Sequence, residues 1–174
     1  MSRLPLLLAA LLLFGCSSSA SLEPVEATPS AEPPALPLSV VHVADPRIVD
    51  QLVDGFHQLE GGAWRWTEQR FAVRLEPPPP EPFHSPTLKL VFSVPEITIA
   101  ALGSVTVTAT LEGVELGSKT ISEPRENIVF ASNVPPRLIG TKPLLAEFSL
   151  DKAVPPREQD MRELGIIAIS VALR

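Results

Sequence analysis

The residues best equipped for chemistry in this 174-residue chain gather in two short stretches. The first is Gly55-Phe56-His57-Gln58-Leu59-Glu60, followed closely by Ala63-Trp64-Arg65-Trp66-Thr67. Side chains two apart on a strand share a face, so Trp64 and Trp66 stand on one side and Arg65 and Thr67 on the other. An indole can stack on the apolar C–H face of a sugar ring while polar neighbours such as His57 and Glu60 bind its hydroxyls. Arg65 carries a planar fork that grips a carboxylate or sulfate through two hydrogen bonds. The same residues have a structural use. Tryptophan fills a core well, and Arg65 can close a clasp with Glu60, Asp160 or Glu163. The structural use is favoured for both, with one indole buried and the other partly exposed.

The second stretch is Asp160-Met161-Arg162-Glu163-Leu164-Gly165, just before a final apolar run. Its charges can hold a ligand or tie the last strand to its neighbours. Asp160, Arg162, Glu163 and Gly165 are read as a structural turn, with Gly165 permitting the sharp entry.

Signatures of other chemistries are missing. The chain has no phosphate-binding glycine loop, no His-Glu-x-x-His and no Gly-x-Ser-x-Gly. His42, His57 and His84 are scattered, so no metal site and no cofactor is expected. Carboxylates are plentiful, but nothing pairs two of them as acid and base, which leaves a carbohydrate hydrolase the least favoured reading. A net charge of −6 argues against nucleic acid as a partner.

The elements that must position these groups are mostly strands. Asp45-Pro46 reads as an N-cap with proline in the first turn, and Ile48, Val49, Leu52 and Val53 follow at helical spacing until Gly55, which predicts one short helix. Everything after it reads as strand. Apolar residues alternate through Phe71–Leu75, Leu88–Val94 and Val105–Leu111. Glu112-Gly113 is a two-residue hairpin turn into Val114 and Leu116, and Ile128–Val134, Leu144–Leu150 and Ile166–Leu173 complete the set. Seven or eight strands at this spacing predict an all-β, two-sheet antiparallel sandwich, immunoglobulin-like or jelly-roll-like, with an up-and-down barrel as the rival. The prolines from Pro77 to Pro86 keep that loop outside the sheets. Too few, too short strands and the absence of tyrosine for an aromatic girdle argue against a membrane barrel.

The N-terminus supplies an address. Arg3 gives a positive start, Leu4 to Phe14 is an apolar run broken only by Pro5, and Gly15 precedes the only cysteine. The run is shorter than the roughly 20 residues of a spanning helix, which marks an export signal. Leu13-Phe14-Gly15-Cys16 resembles the bacterial lipobox, carried by Leu13, Gly15 and Cys16. That resemblance implies cleavage before Cys16 and lipidation of its sulfur, including a palmitate-type acyl chain. Ser17, a non-acidic residue, implies the outer membrane if the host has one. Cleavage leaves 159 residues, moves the charge from −6 to −7 by removing Arg3, and leaves no free thiol. Residues 16–37, rich in serine and proline without aromatics, read as a disordered tether, and 38–174 as the β domain.

At the two chemical stretches the chain resembles a family of small β-sandwich domains found in bacterial envelope proteins and beside glycosyltransferases. The matching residues are Gly55, Phe56, Glu60, Trp64, Arg65, Trp66 and Thr67, then Asp160, Arg162, Leu164 and Gly165. The resemblance spans about Asp45 to Arg174 and implies glycans as neighbours, by association rather than mechanism. Together these readings predict a membrane-tethered, non-catalytic envelope lipoprotein that binds a glycan or other envelope component. The alternative is a structural or assembly lipoprotein whose partner is a protein.

Overall fold

Alternation of apolar residues produces the core strands. In Val105–Leu111 the residues Val105, Val107, Ala109 and Leu111 are buried while the threonines between them are half-exposed. The computed structural model describes residues 38–79 and 85–174. The signal stretch at 1–15, Cys16, the tether at 16–37 and His84 lie outside the described residues.

Among the described residues, nine strands occur, and every pairing is antiparallel. They are β1 (Val40–His42), β2 (Leu52–Glu60), β3 (Trp64–Leu75), β4 (Thr87–Val94), β5 (Val105–Leu111), β6 (Val114–Ile121), β7 (Arg125–Asn133), β8 (Leu144–Leu150) and β9 (Ile167–Leu173). The order is β6-β5-β8-β3-β9-β4-β7, with β1 beside β9 and β2 beside β3. One connected ladder therefore joins all nine strands, and the sheet nearly closes into a barrel, where two separate sheets were expected. The cause is the length of β3. Its 12 residues extend roughly 36 Å, enough for Arg70–Leu75 to pair with β8 while Arg65 and Trp66 pair with β9. Phe71 of β3 stacks on Phe148 of β8 with ring centres 5.0 Å apart, and Phe56 of β2 meets Phe71 edge-on at 5.4 Å.

Two helical expectations need correction. Asp45 does cap a helix with Pro46 in its first turn, but the helix is of the 3-10 type and ends at Gln51. Leu52 already pairs with Val73, and Gly55 lies inside β2 among its register shifts, with φ of +70°. The helical spacing of Ile48, Val49, Leu52 and Val53 buries only Ile48 well, because pairing with β3 takes the chain out of helix. A second helix, α1 (Glu96–Leu102), occupies a stretch that was read as strand territory. It follows Pro95 and stops at Gly103, whose φ is +74°. The Glu112-Gly113 turn forms as expected, with φ of 50° and 75°, both in the left-handed region that a tight hairpin uses.

Gln51 fixes one end of the frame. Its buried side chain accepts from the Leu38 N–H at 3.0 Å and donates to the carbonyls of Leu38 at 3.0 Å and Arg74 at 2.7 Å. The Glu76 N–H also donates to the Leu38 carbonyl. Residue 38 is thus held at the C-terminal end of β3, and the Trp64 hairpin lies at the other.

Candidate functional site at the Trp64 hairpin

The two chemical stretches, about 100 residues apart in sequence, meet at the N-terminal end of β3. A hairpin turn at Gly61-Gly62-Ala63 brings Glu60 opposite Trp64, so the two side chains share a face. Gly61 and Gly62 take φ of 56° and 68°, a conformation glycine adopts without steric cost. The six-membered ring of Trp64 lies over Gly61, where an added Cβ would come within 3.1 Å of it. Trp64 keeps 38% of its surface exposed, whereas Trp66 is 9% exposed and packs with Val154 and Leu164, against which Leu102 and Ile167 also lie.

Arg162 organises the polar part. Its Nη1 donates to Glu60 Oε1 at 2.5 Å, and its Nε and Nη2 donate to the Asp160 carboxylate at 2.9 and 2.7 Å. The Arg162 backbone N–H adds a bond to Asp160 Oδ1 at 3.0 Å. The side-chain bonds from Arg162, then its backbone N–H, pull the Asp160 carboxyl down to about 2. The same bonds to Asp160 and Glu60 strengthen the hold of Arg162 on its proton. All three side chains remain about one-third exposed. Between Asp160 and Arg162, Met161 projects with 76% of its surface exposed.

The remaining expected residues serve to hold this end together. His57 Nε2 donates to the Glu163 carbonyl at 2.6 Å, which places the proton on Nε2 because a carbonyl can only accept. Arg65 donates to the carbonyls of Val43 and His57, each at 3.0 Å, and not to the carboxylates of Glu60, Asp160 or Glu163 proposed for its clasp. Arg162 takes that ionic role instead. Glu163 Oε1 accepts from the Gln69 N–H at 2.7 Å, and Gln69 Nε2 reaches the Leu150 carbonyl at 3.1 Å. Gly165 has no room for a side chain, since a Cβ there would stand 2.6 Å from both the Glu68 carbonyl oxygen and a Leu150 methyl. Buried Thr67 completes the joint by accepting from the Ile166 N–H through its hydroxyl.

Gln69 belongs to this account although its residue type gave no signal in the sequence. A glutamine that bonds only to backbone looks like any surface glutamine. Among the described residues, no group of three or more His, Cys, Asp and Glu side chains converges to hold a metal ion. No helix among them is long and apolar enough to cross a membrane. No known protein family, curated protein or solved structure matches the chain.

Proposed function

We propose that this chain is a non-catalytic binding module of the cell envelope, taking a glycan at the Trp64 hairpin and tethered by lipid on Cys16. The observation that carries the glycan reading is the exposed Trp64 indole opposite Glu60, with Asp160 and Arg162 in the same network. A sugar ring stacked on the indole brings its hydroxyls to carboxylates and a guanidinium already fixed in place. The envelope address rests on the lipobox-like Leu13-Phe14-Gly15-Cys16, and the likeness to glycan-associated domains rests on the residues quoted for it. The nearly closed sheet is read as a flattened pair of layers, supported by a shared core of Phe71, Phe92 and Phe148.

The non-catalytic reading has chemical support. Glycoside hydrolysis needs a carboxylic acid that keeps its proton near neutral pH. Asp160 is driven the opposite way, to about 2, and Glu60 is engaged by the same guanidinium.

The test is a glycan array probed with the mature chain from residue 16 carrying Cys16→Ser, beside the same chain with Trp64→Ala. The expected result is a glycan retained by the first and lost by the second. If no glycan is retained, or if Trp64→Ala binds equally, the glycan reading fails. The exposed Met161 and Trp64 then favour a protein partner at the same end. For the anchor, Cys16→Ser is expected to abolish palmitate labelling and release the chain from membranes. Continued membrane fractionation of that variant rejects lipid on Cys16 as the anchor.

A further inference from the structure

A concavity lies at the opposite end of β3 from Trp64. It has a volume of about 780 Å³, within the roughly 300–1,000 Å³ of small-molecule sites. Its floor is the outer face of the sheet. Val40, Thr87 and Lys89 alternate with the buried Val41, Leu88 and Leu90, so they point away from the core. Pro78, Pro79, Pro86, Pro136 and Ile139 supply apolar walls. The walls are anchored by backbone pairing: Thr87 and Arg174 exchange hydrogen bonds at 2.5 and 3.1 Å, and the Val134 N–H donates to the Pro86 carbonyl at 2.7 Å.

The charged side chains that the described residues bring to it are of one sign. Among the described residues, Lys89 and Arg174 are the only ionisable side chains that line it, and neither makes a side-chain hydrogen bond or ion pair to another of them. In a chain of net charge −6, two cations with no partner among the described residues, beside a proline-walled apolar cleft, select a molecule with an apolar body and an anionic head. We propose that this cleft binds a long-chain acyl carboxylate, the chain lying along the proline walls and the carboxylate between Lys89 and Arg174. A sugar would leave most of these walls unsatisfied, whereas an acyl chain loses water against them.

The experiment uses the mature chain with Cys16→Ser, so that no attached acyl group competes. The probe is cis-parinaric acid, whose fluorescence rises as its chain leaves water, with palmitate and cetyl alcohol as competitors. Saturable binding at one site per chain is expected, weakening as salt is raised, with palmitate displacing the probe and cetyl alcohol roughly tenfold or more weaker. Lys89→Glu combined with Arg174→Glu is expected to lower probe affinity by a similar factor and to remove its salt dependence. Ile139→Trp fills the cleft and is expected to block binding while the circular dichroism spectrum is kept. Trp64→Ala is expected to leave probe binding unchanged, which separates this site from the glycan reading. Absence of saturable binding, equal displacement by acid and alcohol, or an affinity indifferent to charge reversal each overturns the proposal.

Discussion

Arg162 Nη1 and Glu60 Oε1 meet at 2.5 Å across 102 residues of sequence, joining the β2–β3 hairpin to the turn before β9. Both side chains remain more than one-third exposed. Water therefore screens the pair, and Glu60→Gln is expected to cost roughly 0.2–1 kcal/mol. Urea unfolding of the variant measures this, and the loss should shrink further at high salt.

The pH dependence follows from two clamped aspartates. Side-chain hydrogen bonds from Arg162 and Arg47 are the largest causes lowering Asp160 and Asp45, each from 3.8 to about 2. Folding thus favours the ionised form, and the stability this adds is present above about 3.8 and lost as pH falls toward about 2. Acid titration of the folded fraction should show this slope. Asp160→Asn should flatten part of it, because the stability it removes is the part present above about 3.8.

Three glycine-to-alanine changes separate backbone conformation from crowding. Gly62 has φ of +68° and open space around it, so Gly62→Ala should cost about 1–2 kcal/mol. Gly55 has φ of +70° and sits so near β3 that a Cβ would lie 1.8 Å from the Arg70 carbonyl oxygen. Gly55→Ala should prevent normal pairing of β2 with β3, seen as a loss several times larger or failure to fold. Gly165→Ala, whose cost is crowding alone, should fall between them at about 3 kcal/mol. Thermal and urea unfolding of the three variants rank these costs.

The two tryptophans should part in stability. Trp66→Ala removes a buried side chain from the Val154 and Leu164 cluster and should cost about 3–5 kcal/mol. Trp64→Ala removes a ring that already faces water on one side, and should cost markedly less. Chemical denaturation of both variants checks the difference. It also certifies that any binding lost in Trp64→Ala is not lost folding.

Thr98 is fully buried in α1, and its hydroxyl has no hydrogen-bond partner among the described residues. Thr98→Val keeps the branched shape, removes the unsatisfied group and should stabilise the domain by about 1 kcal/mol. A lower melting temperature in the variant would mean that the hydroxyl finds a partner in solution.

Much of the sheet was legible because burial imposes alternation, as in Leu88, Leu90, Phe92 and Val94, all buried on β4. β2 was not, because register shifts around Asp54, Phe56 and Leu59 break its alternation. α1 was not, because its seven residues bury Thr98 while Ile97 faces water, so hydrophobicity misreports which side is inside. Pro95 and Gly103, a start and a stop, were the available signals. At the candidate site, both residue clusters were visible but their partners were not. His57 and Arg65 bond to backbone carbonyls, which every residue carries and no residue type marks.

β1 and β2 also set how the domain carries tension. A pull between residue 38 and the hairpin tip acts along these strands, with Gln51 and Glu76 holding one end and Glu60 facing Trp64 at the other. The chain between those two points passes through β1 and β2, whose bonds to β9 and β3 lie across that line and are loaded in shear, so several must yield together rather than open one by one. Strands loaded this way resist stretching far better than a hairpin pulled apart from its end.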